Sequence, residues 1–386
     1  MRRIVLVGII IALLQLMSPT AQAAPRLQCG DVVTKSTKLR ADLTCASGPA
    51  LRVVSDGRAI VLDLHGHTLS GSTGTGVWVD GPGASTGRVT VRHGRVTGFP
   101  TGIELSRSPG ARVEDLTVTG PGKDSDQTVG VMVEETPEYL LDDVTITGFH
   151  LGLEVQVGDG GRVRSSTLSG NGTGVLLVPT VRTLTVRKSR ITDNDWGFRL
   201  SQSAMTVLDS RVSHNQTGIQ LFQSGATVRG TTISDNGTGV FGYSNDSNIA
   251  LSDSTVRSNG VGVQLVGFGV RGTTNVIEDN TIKDNDGPGL VLDLVHSTRE
   301  PAALEVTHNR FEGNGEVPTD VGVDGVADQG AAIRVAEDGG EVTVTKNRAR
   351  RNAGTGIDAV AVVDGGGNTA RDNDGPAQCI GVECGR

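Results

Sequence analysis

Three glutamates stand at comparable positions of a repeated unit in the first half of the chain. Glu104 and Glu154 each follow a glycine by two positions and lie between apolar residues, and Glu134 follows another glycine by four. If successive units stack as neighbouring strands about 4.8 Å apart, Glu104 and Glu154 are separated by about 9–10 Å. Inverting glycosidases hold two carboxylates about 6.5–9.5 Å apart. We therefore predict Glu104, Glu134 and Glu154 as candidate catalytic residues for hydrolysis or lyase-type proton abstraction, with Arg199 neutralising an acidic sugar.

Amide and aromatic side chains take the place of these acids further along the chain. Aromatic rings offer an apolar face with a polar edge, and side-chain amides both donate and accept hydrogen bonds. Together they suit a surface that binds a sugar chain. The predicted ligand-binding residues are Gln156, Gln220, Phe222, Tyr243 and Gln264.

The elements that must position these residues follow from a repeat. A glycine followed by an apolar, a variable and an apolar residue recurs from Gly76 to Gly356, and from Gly152 to Gly262 the spacing is 21–23 residues. A fixed period of this length is typical of repeat architectures. In each triplet the two apolar side chains face one side of a strand and the variable one faces the other.

A second register supports the first. An asparagine stands three residues before the glycine in five successive units: Asn171, Asn194, Asn215, Asn236 and Asn259. Asparagine tolerates left-handed backbone, and stacked asparagines hydrogen-bond to one another. We expect a tight corner with an asparagine ladder. Phe99 and Phe149 take this position in earlier units and predict an apolar corner there.

These features predict an all-β parallel β-helix solenoid of about 12 coils. The strands alternate with period two and are rich in valine, isoleucine and threonine, and no helical pattern of about ten residues separates them. A leucine-rich horseshoe of similar period would need a leucine series that the chain lacks.

The stretch from Asp63 to Gly71 (DLHGHTLSG) resembles the opening coil of exported right-handed β-helix repeat proteins of the pectin-lyase-like superfamily. The repeat over residues 76–375 resembles the same proteins. The resemblance implies a right-handed β-helix but no particular activity, because lyases, hydrolases, epimerases, tail proteins and adhesins share the fold. Of the catalytic motifs of polygalacturonases, only Asp142-Asp143 has a partial match, and we interpret it as a corner.

The ends of the chain differ from the repeat. Residues 1–23 predict a signal peptide, with Arg2 and Arg3 before an apolar run too short to span a bilayer. We expect a secreted, extracellular protein without a membrane span in its mature form. Residues 24–50 and 376–386 are predicted to cap a β-helix over residues 51–375.

Four cysteines lie in these two end segments. Three pairings are possible, and we favour the local disulfides because a solenoid keeps its ends far apart. The predicted disulfides are Cys29–Cys45 and Cys379–Cys384.

Composition limits the partners. The chain has 43 acidic and 35 basic residues, a balance that disfavours nucleic acid. We expect a polysaccharide or cell-surface glycan as partner, no cofactor and no metal, and the sequence predicts no oligomeric state. His65 and His67 lack a third ligand and are interpreted as turn residues. Calcium at Asp320, Asp324 and Asp328 is an alternative to a solvated loop in that insertion.

Three functions remain open on the sequence. The first, which we favour, is a secreted β-helix that presents an elongated carbohydrate-binding or surface-recognition face without evident catalysis. The second is a polysaccharide lyase or hydrolase acting through the outward carboxylates. The third is a structural adhesin or envelope spacer.

Overall fold

The protein is a right-handed parallel β-helix of about 13 coils, as the sequence predicts. The computed structural model describes residues 26–81, 87–179, 181–243, 247–266, 275–293, 303–315, 332–335, 342–360 and 362–385. The predicted signal peptide and the three aspartates considered for calcium lie outside these residues. Within them the regular structure consists of strands and turns, without helices.

Each coil contributes one strand to each of three parallel columns, which we call sheets A, B and C in the order in which a coil passes through them. Sheet A contains the glycine triplets and has 15 strands. Its strands are Asp31–Val33, Leu51–Val54, Thr75–Asp80, Thr101–Ser106, Val129–Glu134, Leu151–Val155, Thr173–Leu177, Trp196–Ser201, Thr217–Phe222, Thr238–Tyr243, Val261–Val266, Leu290–Asp293, Ile333–Val335, Ile357–Ala359 and Cys379–Ile380.

Sheets B and C form the remaining walls of the solenoid. Three long strands bend from sheet B into sheet C: Val89–Thr97, Arg112–Thr119 and Leu140–Thr147. The other strands of sheet B are Thr37–Lys38, Ile60–Asp63, Gly161–Arg164, Leu184–Arg187, Ala204–Leu208, Gly225–Arg229, Asn248–Ser252, Asn275–Glu278, Leu304–Thr307, Val342–Thr345 and Val363–Gly366. The other strands of sheet C are Leu43–Cys45, Thr68–Gly71, Thr167–Ser169, Arg190–Thr192, Arg211–Ser213, Thr232–Ser234, Thr255–Arg257, Thr281–Lys283, Arg310–Glu312, Arg348–Arg350, Asn368–Arg371 and Cys384–Gly385.

The predicted asparagine ladder forms the corner between sheets C and A. The backbone N–H of each asparagine donates to Oδ1 of the asparagine one coil further along, at 2.9–3.3 Å from Asn171 to Asn373. Each side-chain amide donates to the same oxygen. We call this ladder the asparagine corner. Phe99 and Phe149 are fully buried before it begins, which confirms the apolar corner.

The left-handed backbone that we expected at the asparagines lies one residue earlier. Asp193, His214 and Asp235 have φ of 59°, 57° and 60°, and the asparagines that follow them are absent from the left-handed region. The asparagines therefore contribute hydrogen bonds between coils, and the left-handed turn is made by the residue before each of them.

The repeated glycines are required by close packing rather than by their φ. A Cβ on Gly197 would lie 2.4 Å from the carbonyl oxygen of Gly218, and a Cβ on Gly239 the same distance from that of Gly262. Adjacent coils approach so closely here that no side chain fits.

The other two corners also carry polar ladders, which sequence reasoning missed. Between sheets B and C, Ser166 N–H donates to Ser189 Oγ, and serine, threonine and asparagine continue the series to Asn368. Between sheets A and B, Ser203 N–H donates to Ser224 Oγ at 3.2 Å, and Ser224 N–H to Ser247 Oγ at 3.3 Å. The residue type changes along the ladder between sheets B and C, and in the described residues the ladder between sheets A and B joins only Ser203, Ser224 and Ser247, so neither stands out as a long repeat.

The two ends of the described chain are held by the predicted disulfides. Cys29–Cys45 and Cys379–Cys384 are both formed. The segment predicted as the N-terminal cap supplies the first described strand of each sheet, since Asp31–Val33 pairs with Leu51–Val54.

Candidate functional site

The outward side chains of sheet A form two parallel columns, which we call the outer face. Along each strand the apolar residues are buried and the variable residue between them faces outward, as predicted. In register, the first column reads Val32, Arg52, Trp78, Glu104, Met132, Glu154, Leu176, Arg199, Gln220, Phe241, Gln264 and Val291. The second column includes Asp80, Ser106 and Glu134, and further along Ser201, Phe222, Tyr243 and Val266.

Glu104 is the most perturbed acid of the outer face. Its partial burial raises the pKa of the carboxyl, and the nearby charges of Glu134 and Asp80 raise it further, against a hydrogen bond from Thr75 Oγ1 at 3.3 Å. A raised pKa suits a group that must carry a proton near neutral pH. Glu104 and Glu134, predicted from the sequence, thus interact, and Glu134 lies one coil further along in the second column.

Beside Glu104 lies a charged cluster that sequence reasoning missed. Asp80 is buried and pairs with Arg52 and, at 2.8 Å, with Arg107 Nη2. The Arg52 guanidinium lies 4.5 Å from the centroid of the Trp78 ring. The outward positions of Trp78 and Asp80 on one strand could have indicated this cluster. Arg107 follows the end of its strand, and the repeat does not predict its position.

The remaining predicted catalytic residues lie apart from Glu104. Glu154 is two coils from Glu104, and its Oε1 accepts a hydrogen bond from Gln156 Nε2 at 3.1 Å. Arg199 is two coils beyond Glu154 and its guanidinium lies 5.3 Å from the centroid of the Trp196 ring. At about 4.8 Å per coil, Arg199 lies about 19 Å from the position of Glu104. Glu104, Glu154 and Arg199 therefore follow the first column and Glu134 lies in the second, and the four residues do not meet at one point.

An aromatic cluster occupies the outer face one and two coils beyond Arg199. The Phe222 and Tyr243 rings are 5.0 Å apart, and Phe241 and Tyr243 are 5.4 Å apart and stacked. All three side chains are partly exposed. We call these three residues the aromatic cluster.

Two predicted amides flank the aromatic cluster in the first column. Gln220 precedes Phe241 by one coil and Gln264 follows it by one coil. Gln220 is partly exposed, whereas Gln264 is only 9% exposed. Gln220 is therefore the more accessible partner for a ligand on the rings.

The loop of residues 120–128 borders the outer face on the side of the asparagine corner. Lys123 Nζ reaches Asp195 Oδ1 at 2.8 Å, immediately before the strand that begins at Trp196. This hydrogen bond raises the pKa of Lys123. The loop therefore crosses the coils that separate Glu154 from Arg199.

The two histidines considered as metal ligands occupy a turn. His65 and His67 lie in the turn between strands Ile60–Asp63 and Thr68–Gly71, as predicted, and His65 has φ of 52°. The hydrogen bond from its backbone N–H to Asp63 helps to lower the pKa of that carboxyl, against its burial. In the described part of the chain no group of three or more His, Cys, Asp or Glu residues is placed to hold a metal ion.

Comparison with known families agrees with this geometry. The family described as "Right handed beta helix region" matches residues 129–271, 214–348 and 268–375, which together span more than half of the chain. The chain belongs to the right-handed β-helix family. No curated protein sequence matches this β-helix protein. Its described residues include no helix long and apolar enough to cross a membrane.

Solved structures with a similar fold share little sequence with this β-helix protein. The A-module of mannuronan C-5 epimerase AlgE6 from Azotobacter vinelandii is 17% identical, with a TM-score of 0.43 and 91% of each chain covered. The Dettilon tailspike protein is 16% identical, with a TM-score of 0.49, covering 84% of this chain and 62% of its own. The catalytic domain of a GH87 α-1,3-glucanase is 12% identical, with a TM-score of 0.36, covering 90% and 70%. At such identities these similarities carry no inference about activity.

Proposed function

We propose that this is an exported protein that binds a polysaccharide along the outer face of sheet A. The observation that carries the proposal is the aromatic cluster: three partly exposed rings on adjacent strands, with Tyr243 in contact with both phenylalanines, beside Gln220. Rings on a flat parallel sheet offer sugar faces a stacking surface, and the adjacent amide offers hydrogen bonds to hydroxyl groups.

The disulfides support the proposed export. Two bonds are formed, and the described residues contain no free cysteine. Disulfides persist in oxidising compartments outside the cytosol. Together with the predicted signal peptide, they favour a surface that meets glycans outside the cell.

The binding proposal is tested by removing two rings. The Phe222→Ala/Tyr243→Ala double variant should weaken glycan binding at least about 30-fold, since each central aromatic contact contributes on the order of 1–2 kcal/mol. Leu208→Ala removes an outward apolar side chain from sheet B and is the matched control. Binding is measured on a glycan array and then by calorimetry; double-variant affinity equal to that of the control would reject the aromatic cluster as the site.

A second candidate function, cleavage of the bound chain, is favoured by the raised pKa of Glu104 next to Glu134. A protonated Glu104 can donate to a leaving oxygen while the Glu134 carboxylate accepts a proton from water or sugar carbon. Assays of new reducing ends and of unsaturated products over a panel of polysaccharides test this function. If either product forms, Glu104→Gln should reduce its rate by at least about 100-fold; a rate unchanged in this variant would exclude Glu104 as the acid.

A further inference from the structure

A trough on sheet B lies around the corner from the aromatic cluster. It has a volume of about 500 Å³ and is lined by three successive coils and the start of a fourth. Its principal lining residues are Gln202, Ala204, Thr206, Gln223, Gly225 and Thr227. No repeated motif predicts it, because it results from small residues in an otherwise regular sheet.

The trough is concave because two outward positions in register carry almost no side chain. Ala204 pairs with Gly225, and Gly225 with Asn248. At the next outward position of the same two strands, Thr206 pairs with Thr227, and their hydroxyl groups line one side of the trough. Asn248 closes the far end, since a Cβ on Gly225 would lie 2.5 Å from its Oδ1.

The corner joining the trough to the aromatic cluster is held by hydrogen bonds. Gln202 Nε2 donates to Gln223 Oε1 at 2.7 Å on its outside. Inside, Ser224 Oγ donates to the carbonyl oxygen of Phe222 at 2.7 Å and accepts from Ser203 N–H. Phe222 and Gln223 are consecutive in the chain, so rings and trough form one continuous, pre-ordered surface.

Charge distinguishes this surface from the other end of the outer face. Of the described residues that line the trough, only Arg182 is charged. From Gln220 to Val291 the first column of the outer face is also uncharged. Amides, hydroxyls and rings suit neutral sugars, whereas an acidic polymer would need a row of cations, which the described residues of this surface do not provide.

We infer that the trough binds a neutral side branch of a polysaccharide whose main chain lies on the aromatic cluster. The inference rests on the proposed glycan binding and specifies its ligand: an uncharged, branched polymer. The main chain stacks on Phe222 and Tyr243, and the branch turns over Gln223 so that its hydroxyl groups meet those of Thr206 and Thr227.

Filling the trough tests this inference. Ala204→Leu places a bulky apolar side chain on the floor, and Ser252→Leu places the same side chain at an outward position of sheet B outside the trough. The probes are neutral pairs that differ in branching, a linear cello-oligosaccharide against a xyloglucan oligosaccharide and a linear against a galactosylated manno-oligosaccharide, with oligogalacturonate as the acidic comparison. Calorimetry measures affinity, and thermal denaturation checks that each variant is folded.

We expect the wild type to bind the branched member of one pair at least about tenfold more tightly than the linear member. Ala204→Leu should abolish that preference while leaving the affinity for the linear chain unchanged, and Ser252→Leu should change neither. Equal binding of branched and linear chains, or a preference that survives in Ala204→Leu, would overturn the inference but leave glycan binding in place. Tighter binding of oligogalacturonate would overturn the neutral ligand. Absence of binding to every probe would instead count against the proposed function.

Discussion

The asparagine corner and the outer face of sheet A are made by the same coils but differ in what they tolerate. At the corner, the same buried side chain makes the same pair of hydrogen bonds in one coil after another. On the outer face the aligned position is glutamate, methionine, leucine, arginine, glutamine or phenylalanine. The stacking of coils restricts the first position and leaves the second free for ligand recognition.

The difference has an energetic origin. A buried amide or carbonyl group that loses its partner costs about 1–3 kcal/mol, whereas a group facing water regains its hydrogen bonds from solvent. The Asn236 side chain, for example, accepts from the backbone N–H of Asn215 and donates to the carbonyl oxygen of Val212 in the preceding coil, and it donates to Oδ1 of Asn259 in the following coil. A substitution there therefore affects three coils, and one on the outer face affects mainly its own surroundings.

The largest expected effect comes from breaking the asparagine corner in the middle. Asn236→Ala removes the acceptor of Asn215 and the donors to Val212 O and Asn259 Oδ1, all of them buried. We expect a loss of about 3–5 kcal/mol in the free energy of unfolding, measured by chemical denaturation. The neighbouring exposed Gln216→Ala should cost less than about 0.5 kcal/mol. Equal losses in the two variants would remove the distinction between corner and surface.

A smaller effect is expected when the outer face loses a ring. Phe222→Ala removes one contact within the aromatic cluster, at 5.0 Å from Tyr243, while the hydrogen bonds of the corner below it remain. An exposed aromatic pair contributes about 0.5–1.5 kcal/mol, and the free energy of unfolding should fall by no more than that. A loss as large as that of Asn236→Ala would show that the cluster holds the coils together, and the binding test would then need a milder variant such as Phe222→Leu.

The same contrast explains what could be predicted from the sequence. The glycine and asparagine registers were visible because packing demands one residue type at each, and they were sufficient to predict the fold and the outward positions. With the four cysteines in the end segments, the predicted solenoid also indicated both disulfides. The polar ladder between sheets B and C was not predicted because serine, threonine and asparagine all provide the required acceptor, as at Ser189, Thr231 and Asn280. The ion pairs of Asp80 and the trough at Ala204 were not predicted either. Both are formed by residues of different coils that share no repeated motif.

The Tyr139 hydroxyl is buried like the polar side chains of the corners, but it lacks the hydrogen bonds that those side chains make. Its side chain is fully buried, its hydroxyl has no hydrogen-bond partner among the residues that the structure describes, and burial raises its pKa far above the usual range. Tyr139→Phe removes the unsatisfied group and keeps the ring, so we expect a gain of about 1 kcal/mol in the free energy of unfolding. Gly161→Ala is the opposite variant, because its Cβ would lie 2.2 Å from the Tyr139 ring and must destabilise the fold. A loss of stability in Tyr139→Phe would show that the hydroxyl is satisfied by an internal water.

The smallest expected effect concerns the charge of Glu104 on the outer face. Because its folded pKa is raised from the ordinary value of 4.5, the fold favours the protonated acid, and stability is lost as the pH rises through the folded pKa. Glu104→Gln should therefore unfold like the wild type at a pH well below that value and be more stable than the wild type at neutral pH. Solvent screening of this partly exposed group keeps the gain below about 1 kcal/mol. In a Glu134→Gln background the gain should shrink, since the Glu134 charge contributes to the shift. A gain in the free energy of unfolding that does not depend on pH would mean that packing of the glutamine, rather than removal of the charge, stabilises the variant. That result would contradict a raised pKa for Glu104.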